Sequence, residues 1–316
     1  MRVGIGFSAF ALPLSVVAAC FSNSSTMTDA GAFFMEDGGV EGHDATTLGD
    51  VVVTPDGAQG DSSPMDASIG VDSASPDAAP DASVDAPVDA PALTYPETVM
   101  ADSPLSYWRF GESNGTTAHD SVGTTNGTYL ANFTLGATGA IANDTNTAVT
   151  FDGMSGYVSM GSAFNFAGTA SMSIELWVKP APADSSFRRL VSKETIDGNG
   201  REGYLMGYEG ANNLSFERFQ SGAETAIGAT ITPNVYSHVV TTYDGTTMII
   251  YVNGAAVQAM AAPQVMATFS DSFNVATYST EMTADCFQGT VDEVAVYGHA
   301  LTSQRVVEHY RVGTGM

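Results

Sequence analysis

The chain has 316 residues, 35 acidic and 10 basic, for a net charge of −25. So acidic a surface repels phosphate backbones, and no basic stripe interrupts it, which excludes nucleic acid as a partner. Two cysteines, Cys20 and Cys286, exclude by count both a disulfide scaffold and a cysteine-rich zinc site.

Residues 3–19, VGIGFSAFALPLSVVAA, are apolar and end in small residues. The run is short for a membrane span and contains Pro13, so residues 1–19 read as a signal peptide. The following VVAAC resembles the bacterial lipobox, which implies that Cys20 carries the lipid and leads the mature chain. Phe21 follows where inner-membrane retention commonly uses Asp, so the expected address is the cell envelope, anchored to the outer membrane in its surface or periplasmic leaflet. Arg2 is the only basic residue of the leader, a departure from the usual pattern.

Residues 20–93 read as the lipidated cysteine and a disordered Asp/Ala/Pro/Ser-rich tether. Residues 21–93 hold 14 acidic residues and no Lys or Arg. Few large apolar side chains offset the chain entropy, so no packed core is expected here. As a flexible coil the tract would span about 50 Å, and fully extended about 220 Å.

From residue 94 to 316 the texture becomes that of a β protein: short runs of alternating polarity, punctuated by Gly, Asn and Asp. In SMSIELWVKP, Met172, Ile174, Leu176 and Val178 point one way and Ser173, Glu175, Trp177 and Lys179 the other. In residues 236–260, Asp244-Gly245 and Asn253-Gly254 make tight turns between HVVTTY, TMIIYV and AAVQAM, an antiparallel meander. TVDEVAVYG then alternates as a strand, with Asp292, Val294 and Val296 on one face and Val291, Glu293, Ala295 and Tyr297 on the other. On this reading, loss of the Glu293 charge has only a surface effect. A short C-terminal helix follows, with Thr302 as N-cap and Leu301 and Val306 as a hydrophobic staple. A dozen or more strands with one helix predict an all-β, two-sheet antiparallel sandwich.

The ordered set LSYWRFGE, HDSVGTTNGTY, AVTFDGMSGYVSMG, SMSIELWVKP, LVSKE, YSHVVTTYDGTTMIIYVNGAAV and GTVDEVAVYGHALTSQRVVEHY resembles the laminin G-like, concanavalin A-like lectin/glucanase jelly rolls, over about residues 95–313. The resemblance implies a concanavalin A-like jelly roll with carbohydrate or a protein as ligand. It also implies one structural calcium ion, held by Asp120 and Asp292 with Asn126 nearby; the alternative is that Asp120 caps a turn and Asp292 accepts loop hydrogen bonds. Laminarinase-type relatives take their acids from a Glu-x-Asp-x-x-Glu strand, and that motif does not occur here, so no catalytic residue is expected.

The residues themselves point the same way. Glu175 has no second acid on its strand face, and His43, His119, His238, His299 and His309 show no metal spacing. His238 reads as a half-buried structural residue. IDGNGREGY (196–204) is faintly like a calcium loop, but Arg201 occupies a ligand position, so it reads as a glycine-rich loop between strands. Aromatic platforms for sugar would come from Trp177, Tyr204, Tyr208, Phe216 and Phe219, with burial in the core as the competing reading. The sequence therefore predicts a binding module without catalysis, against two alternatives: a polysaccharide hydrolase or lyase, and a structural envelope component.

Overall fold

The computed structural model describes residues 92–278 and 285–316. The signal peptide, Cys20 and all but the last two residues of the tether lie outside them. In chain order the elements are α1 (Tyr95–Ala101), β1 (Ser106–Trp108), β2 (Thr117–Ala118), β3 (Gly127–Leu130), β4 (Phe133–Thr138), β5 (Thr147–Asp152), β6 (Tyr157–Ser159), β7 (Met172–Pro180), β8 (Arg188–Asp197), β9 (Gly200–Glu209), β10 (Asn213–Gln220), β11 (Ala223–Thr230), β12 (Ser237–Tyr243), β13 (Thr247–Val252), β14 (Ala255–Ala261), β15 (Asn274–Val275), β16 (Gln288–Tyr297) and α2 (Ser303–Gly313).

The strands form two antiparallel sheets. One runs β14-β13-β12-β7-β16-β5-β4, with β1 also on β16; the other runs β11-β10-β9-β8-β15-β6-β3-β2. Alternation decides which side chains lie between them. Met172, Ile174, Leu176 and Val178 of β7 join Tyr204, Met206 and Tyr208 of β9 and Leu214 and Phe216 of β10 in one core cluster. The meander follows the expected register, and Asn253 and Gly254 both take positive φ (52° and 80°), as a two-residue type I′ hairpin requires.

A second cluster lies on the outer face of the first sheet, where Trp177, Val240, Ala295 and Tyr297 meet Tyr95, Val99, Leu301 and Val306. The helices thus cover that face. Thr302 caps α2 as expected, its hydroxyl accepting from Arg305 N at 3.3 Å. The helix α1 was not expected. It begins with a capping box, Thr94 and Glu97, with Pro96 in its first turn. Gly313 of α2 lets this layer close on the sheet: a Cβ there would come within 2.4 Å of Trp177 Cζ2. We call this the capped sheet. The other, the open sheet, has its outer face overlaid in part by residues 276–278 and 285–287: Ser192 Oγ donates to Thr277 O (2.6 Å) and Arg189 N to Asp285 O (2.7 Å).

One register expectation fails. Val291 pairs with Val178 and Val296 with Ile174, both facing the core, but the register slips between Asp292 and Ala295, where Glu293 adopts φ 52°. A bulge of this kind inserts a residue and breaks strict alternation. Asp292 pairs with outward-facing Trp177, so it leaves the valine face and lies on the same side as Glu293.

Candidate functional site

Beneath the helices, Glu175 is fully buried and is the acceptor for four side chains. These are Tyr297 Oη (2.6 Å), His238 Nε2 (2.7 Å), His309 Nδ1 (2.8 Å) and Tyr95 Oη (3.0 Å). Burial alone would raise its pKa, but His309 and His238 outweigh it and hold the carboxyl well below its usual range. His309 in turn meets Asp102 through Nε2 at 2.7 Å, and burial of the imidazole is overcome by Glu175 and Asp102, which raise its pKa. Arg305 closes the chain on Asp102 at 2.8 Å and on Thr98 O at 3.2 Å. This network ties α1 and α2 to the sheet, and no solvent reaches Glu175. His238, expected half-buried, is wholly enclosed because α2 lies over it.

The bulge in β16 organises a second acid cluster. Glu293 accepts Arg109 Nε (3.0 Å) and Nη2 (2.8 Å) and the Tyr107 hydroxyl, while Arg109 also reaches Asp144 at 2.6 Å. Its exposure is zero, so the expectation of a surface residue is corrected: at the bulge it is covered by Tyr107 of β1 and by Arg109. Asp292 accepts the Ala140 amide at 2.7 Å, and burial together with the Glu293 charge raises its pKa well above the carboxylate range.

The expected calcium ligands do not assemble. Asp120 and Asn126 share one loop, where Asn126 Oδ1 accepts the Asp120 amide at 2.9 Å. Both Asp120 oxygens are occupied by donors, from Ser106 Oγ, Tyr107 N, Val122 N and Thr125 N at 2.8–3.1 Å. A carboxylate ringed by N–H and O–H groups presents positive ends where a cation would have to sit. Asp292 is engaged elsewhere, at Ala140. No group of three or more His, Cys, Asp or Glu suited to a metal occurs among the described residues. The set Asp120, Asn126 and Asp292 therefore does not fit calcium, and the turn-capping reading of Asp120 describes its contacts.

The expected sugar platforms are buried: Trp177, Tyr204, Tyr208, Phe216 and Phe219 are each 3% exposed or less. Trp177 packs under the helices against Tyr95, His238 and Tyr310. Tyr204 and Tyr208 point between the sheets and bond Phe164 O and Ala181 O. Phe216 is core. Only Phe219 lies on the outer face of the open sheet, and the Arg201 guanidinium covers its ring at 4.3 Å.

That outer face is the remaining candidate. Arg201, Gly203, Leu205 and Gly207 of β9 alternate outward, and the last three pair with Phe219, Glu217 and Ser215 of β10. Glu194 of β8 is fully buried and takes Arg189 Nε at 2.5 Å and Arg201 Nε at 2.7 Å. Arg189 is enclosed between Tyr278 (4.4 Å) and Phe187 (5.3 Å). Phe187 fits because Gly207 has no side chain; a Cβ there would come within 2.3 Å of its ring. Arg201 is different. Its Nε is bonded and its plane is stacked, but its Nη1 and Nη2 groups make no hydrogen bond among the described residues, and a quarter of the side chain is exposed. Glu217 lies close enough to feel its charge. Burial raises the Glu217 carboxyl to about 7, and Ser215 Oγ donates to it at 2.6 Å. From Ser215 and Glu217 an open cleft of about 610 Å³ runs over Ala226 and Gly228 of β11 to Val257 and Gln258 of β14. The small residues of β11 make it broad, and its size is that of a small-molecule site.

Residues 151–307, most of both sheets, match the family model of the concanavalin A-like lectin/glucanases superfamily. The domain belongs to that superfamily. No curated protein sequence matches the chain. Among solved structures the concanavalin A-like domain is similar to the sialidase of Trypanosoma rangeli, solved with sialic acid, with a TM-score of 0.51 at 15% identity. The match covers 66% of this chain and 33% of that one. The receptor binding domain of a botulinum neurotoxin C/D mosaic serotype gives 0.50 at 11% identity, over 66% and 51% of the two chains. The fourth domain of an extracellular arabinanase from Geobacillus stearothermophilus, solved with arabinotriose, gives 0.48 at 20% identity, over 66% and 98%. At these identities the likeness is one of fold. The chain spans about half of the toxin domain and a third of the sialidase.

Sequence reasoning missed Arg201 and Glu217. A partial signal was present: Tyr204, Met206 and Tyr208 of β9 and Leu214 and Phe216 of β10 share one phase, which leaves Arg201, Ser215 and Glu217 on the other, together with Leu205 and Phe219.

Proposed function

We propose that this is a non-enzymatic binding module that takes carbohydrate in the cleft on the outer face of its open sheet. The observation that carries the reading is the cleft itself, with Ser215 and Glu217 on its wall and Arg201 near enough for its charge to act on Glu217. Arg201 is fixed by Glu194 and Phe219 while its Nη1 and Nη2 groups find no partner among the described residues, and burial raises the Glu217 carboxyl to about 7, where it can accept from or donate to a hydroxyl. The capped sheet has its outer face covered by the helices, while Glu175 and Glu293 are consumed by protein donors. A glycan array probed with the full chain tests this. Arg201→Ala is expected to weaken glycan binding at least tenfold, and because it also strips buried Glu194 of one of its two arginines, binding is compared at a temperature where circular dichroism shows the variant folded. Failure of every glycan to bind, or a protein ligand in their place, refutes it.

One observation favours a hydrolase instead: a carboxyl near 7 suits a general acid. Against it, Glu194, the neighbouring buried acid, is clasped by two arginines. Polysaccharide cleavage abolished by Glu217→Gln would establish the enzyme.

With the binding role we propose display on the cell envelope, with Cys20 lipidated at the outer membrane, residues 20–93 as tether and 94–316 as the folded part. Cys20→Ser is expected to release the protein from the membrane fraction or trap its precursor; unchanged partitioning refutes the anchor. Protease should cut within 20–93 and leave 94–316 intact.

A further inference from the structure

The inner face of the open sheet carries a cation that the sandwich does not neutralise. Arg218 stands on β10, in register with Tyr204 of β9 and Thr225 of β11, and so points between the sheets. Its exposure is zero. The guanidinium lies 3.6 Å from the centroid of the Tyr243 ring, and Nη2 donates to Gln264 O at 3.2 Å. Nε and Nη1 have no partner, and Arg218 makes no ion pair among the described residues. Thr241 Oγ1, two residues from Tyr243 on the same face of β12, is buried and unpartnered as well. Lys193, in register with Tyr204 on its other side, differs: it bonds the main-chain carbonyls of Phe269 and Asp271 and has the Asp271 carboxylate near it.

A buried guanidinium without an anion is among the costliest arrangements a core can hold. Ring stacking, one carbonyl and the nearby Tyr243 and Tyr204 side chains offset only part of that cost, and burial still lowers the Arg218 pKa. Water could satisfy the free N–H groups but would leave the charge. The aromatic surroundings favour a small, weakly hydrated anion over a phosphate or a carboxylate ligand.

We infer that a halide-sized monovalent anion binds inside the sandwich, against the unpartnered N–H groups of Arg218. It neutralises the guanidinium and bridges the open sheet to the capped one near Thr241 and Tyr243. The site lies on the opposite side of the open sheet from the cleft, so it does not depend on the carbohydrate reading.

The test is thermal melting of the full chain with sodium bromide replacing sodium gluconate at constant total salt. Between about 10 and 500 mM bromide the melting temperature is expected to rise by about 4 °C and to saturate. In Arg218→Met the rise should vanish. As a readout that does not depend on the variant folding, wild-type crystals grown in bromide should show an anomalous peak within about 3.5 Å of Arg218 Nε or Nη1. A melting temperature indifferent to the halide overturns the inference. So does a rise that persists in Arg218→Met, or water in place of the anomalous peak.

Discussion

Replacing Glu175 with Gln keeps the shape of the side chain and removes its charge. In the native protein the carboxylate accepts from two tyrosine hydroxyls and two imidazoles at 2.6–3.0 Å with no solvent contact. An amide has one oxygen for four donors, and its NH₂ would face groups that also donate. Breaking one side of a buried ion pair costs about 3–5 kcal/mol, and hydrogen bonds to a charged group contribute about 1.5–3 kcal/mol each before non-additivity. We expect a loss of about 4 kcal/mol, which for a domain of this size lowers the melting temperature by about 8–16 °C. The pH dependence carries a second signature. Glu175 has a folded pKa below its ordinary 4.5, so its contribution is present above pH 4.5 and is lost as pH falls further. His309 has a folded pKa above its ordinary 6.5, so its contribution is present below pH 6.5 and is lost as pH rises through the raised value. The wild-type network is therefore strongest between about pH 4.5 and 6.5, and Glu175→Gln should flatten both slopes. Urea unfolding of the full chain across pH 4–8 measures both effects. A loss below about 1 kcal/mol, or an unchanged pH profile, would refute the claim that Glu175 holds the helix layer.

Glu293→Gln should cost about 3 kcal/mol, since it leaves Arg109 half-paired beneath the bulge; chemical denaturation measures it. Gly313→Ala should destabilise by about 1–3 kcal/mol, because its methyl would overlap Trp177, and the Trp177 fluorescence maximum should shift to the red. Calcium should leave the melting temperature within about 1 °C of its value in chelator, because the oxygens of Asp120 are already filled; a saturable rise would restore a metal site.

The sandwich was legible because two-residue alternation is a direct imprint of a pleated strand with one face on the core. Alternation gives phase but not identity. It placed Tyr204, Tyr208 and Phe216 on strands without saying which phase faced the other sheet, and all three face it. The bulge was hidden for a different reason. A glutamate at φ 52° is not something a residue type announces, so Asp292 and Glu293 were placed on opposite faces when they share one. The capping box of α1 was readable in Thr94, Pro96 and Glu97, but it directly follows the Pro/Ala run of the tether, which masks a helix start. Arg201 was noticed only as a misfit in a calcium loop. Its role depends on Glu194 and Phe219, which reach it across strand pairs and not along the chain.

The chain enters the fold at α1, on the back of the capped sheet, while the cleft runs from the outer face of the open sheet to the β14 edge. Tension applied to the chain ahead of Leu93 therefore pulls first on α1, held by Tyr95 against Glu175 and by Asp102 against Arg305. These contacts lie at the start of the described chain and can peel one after another, so a modest force would be absorbed by a short, recoverable extension. The strands that carry Arg201 and Glu217 lie in the other sheet and stay unloaded until that helix has let go.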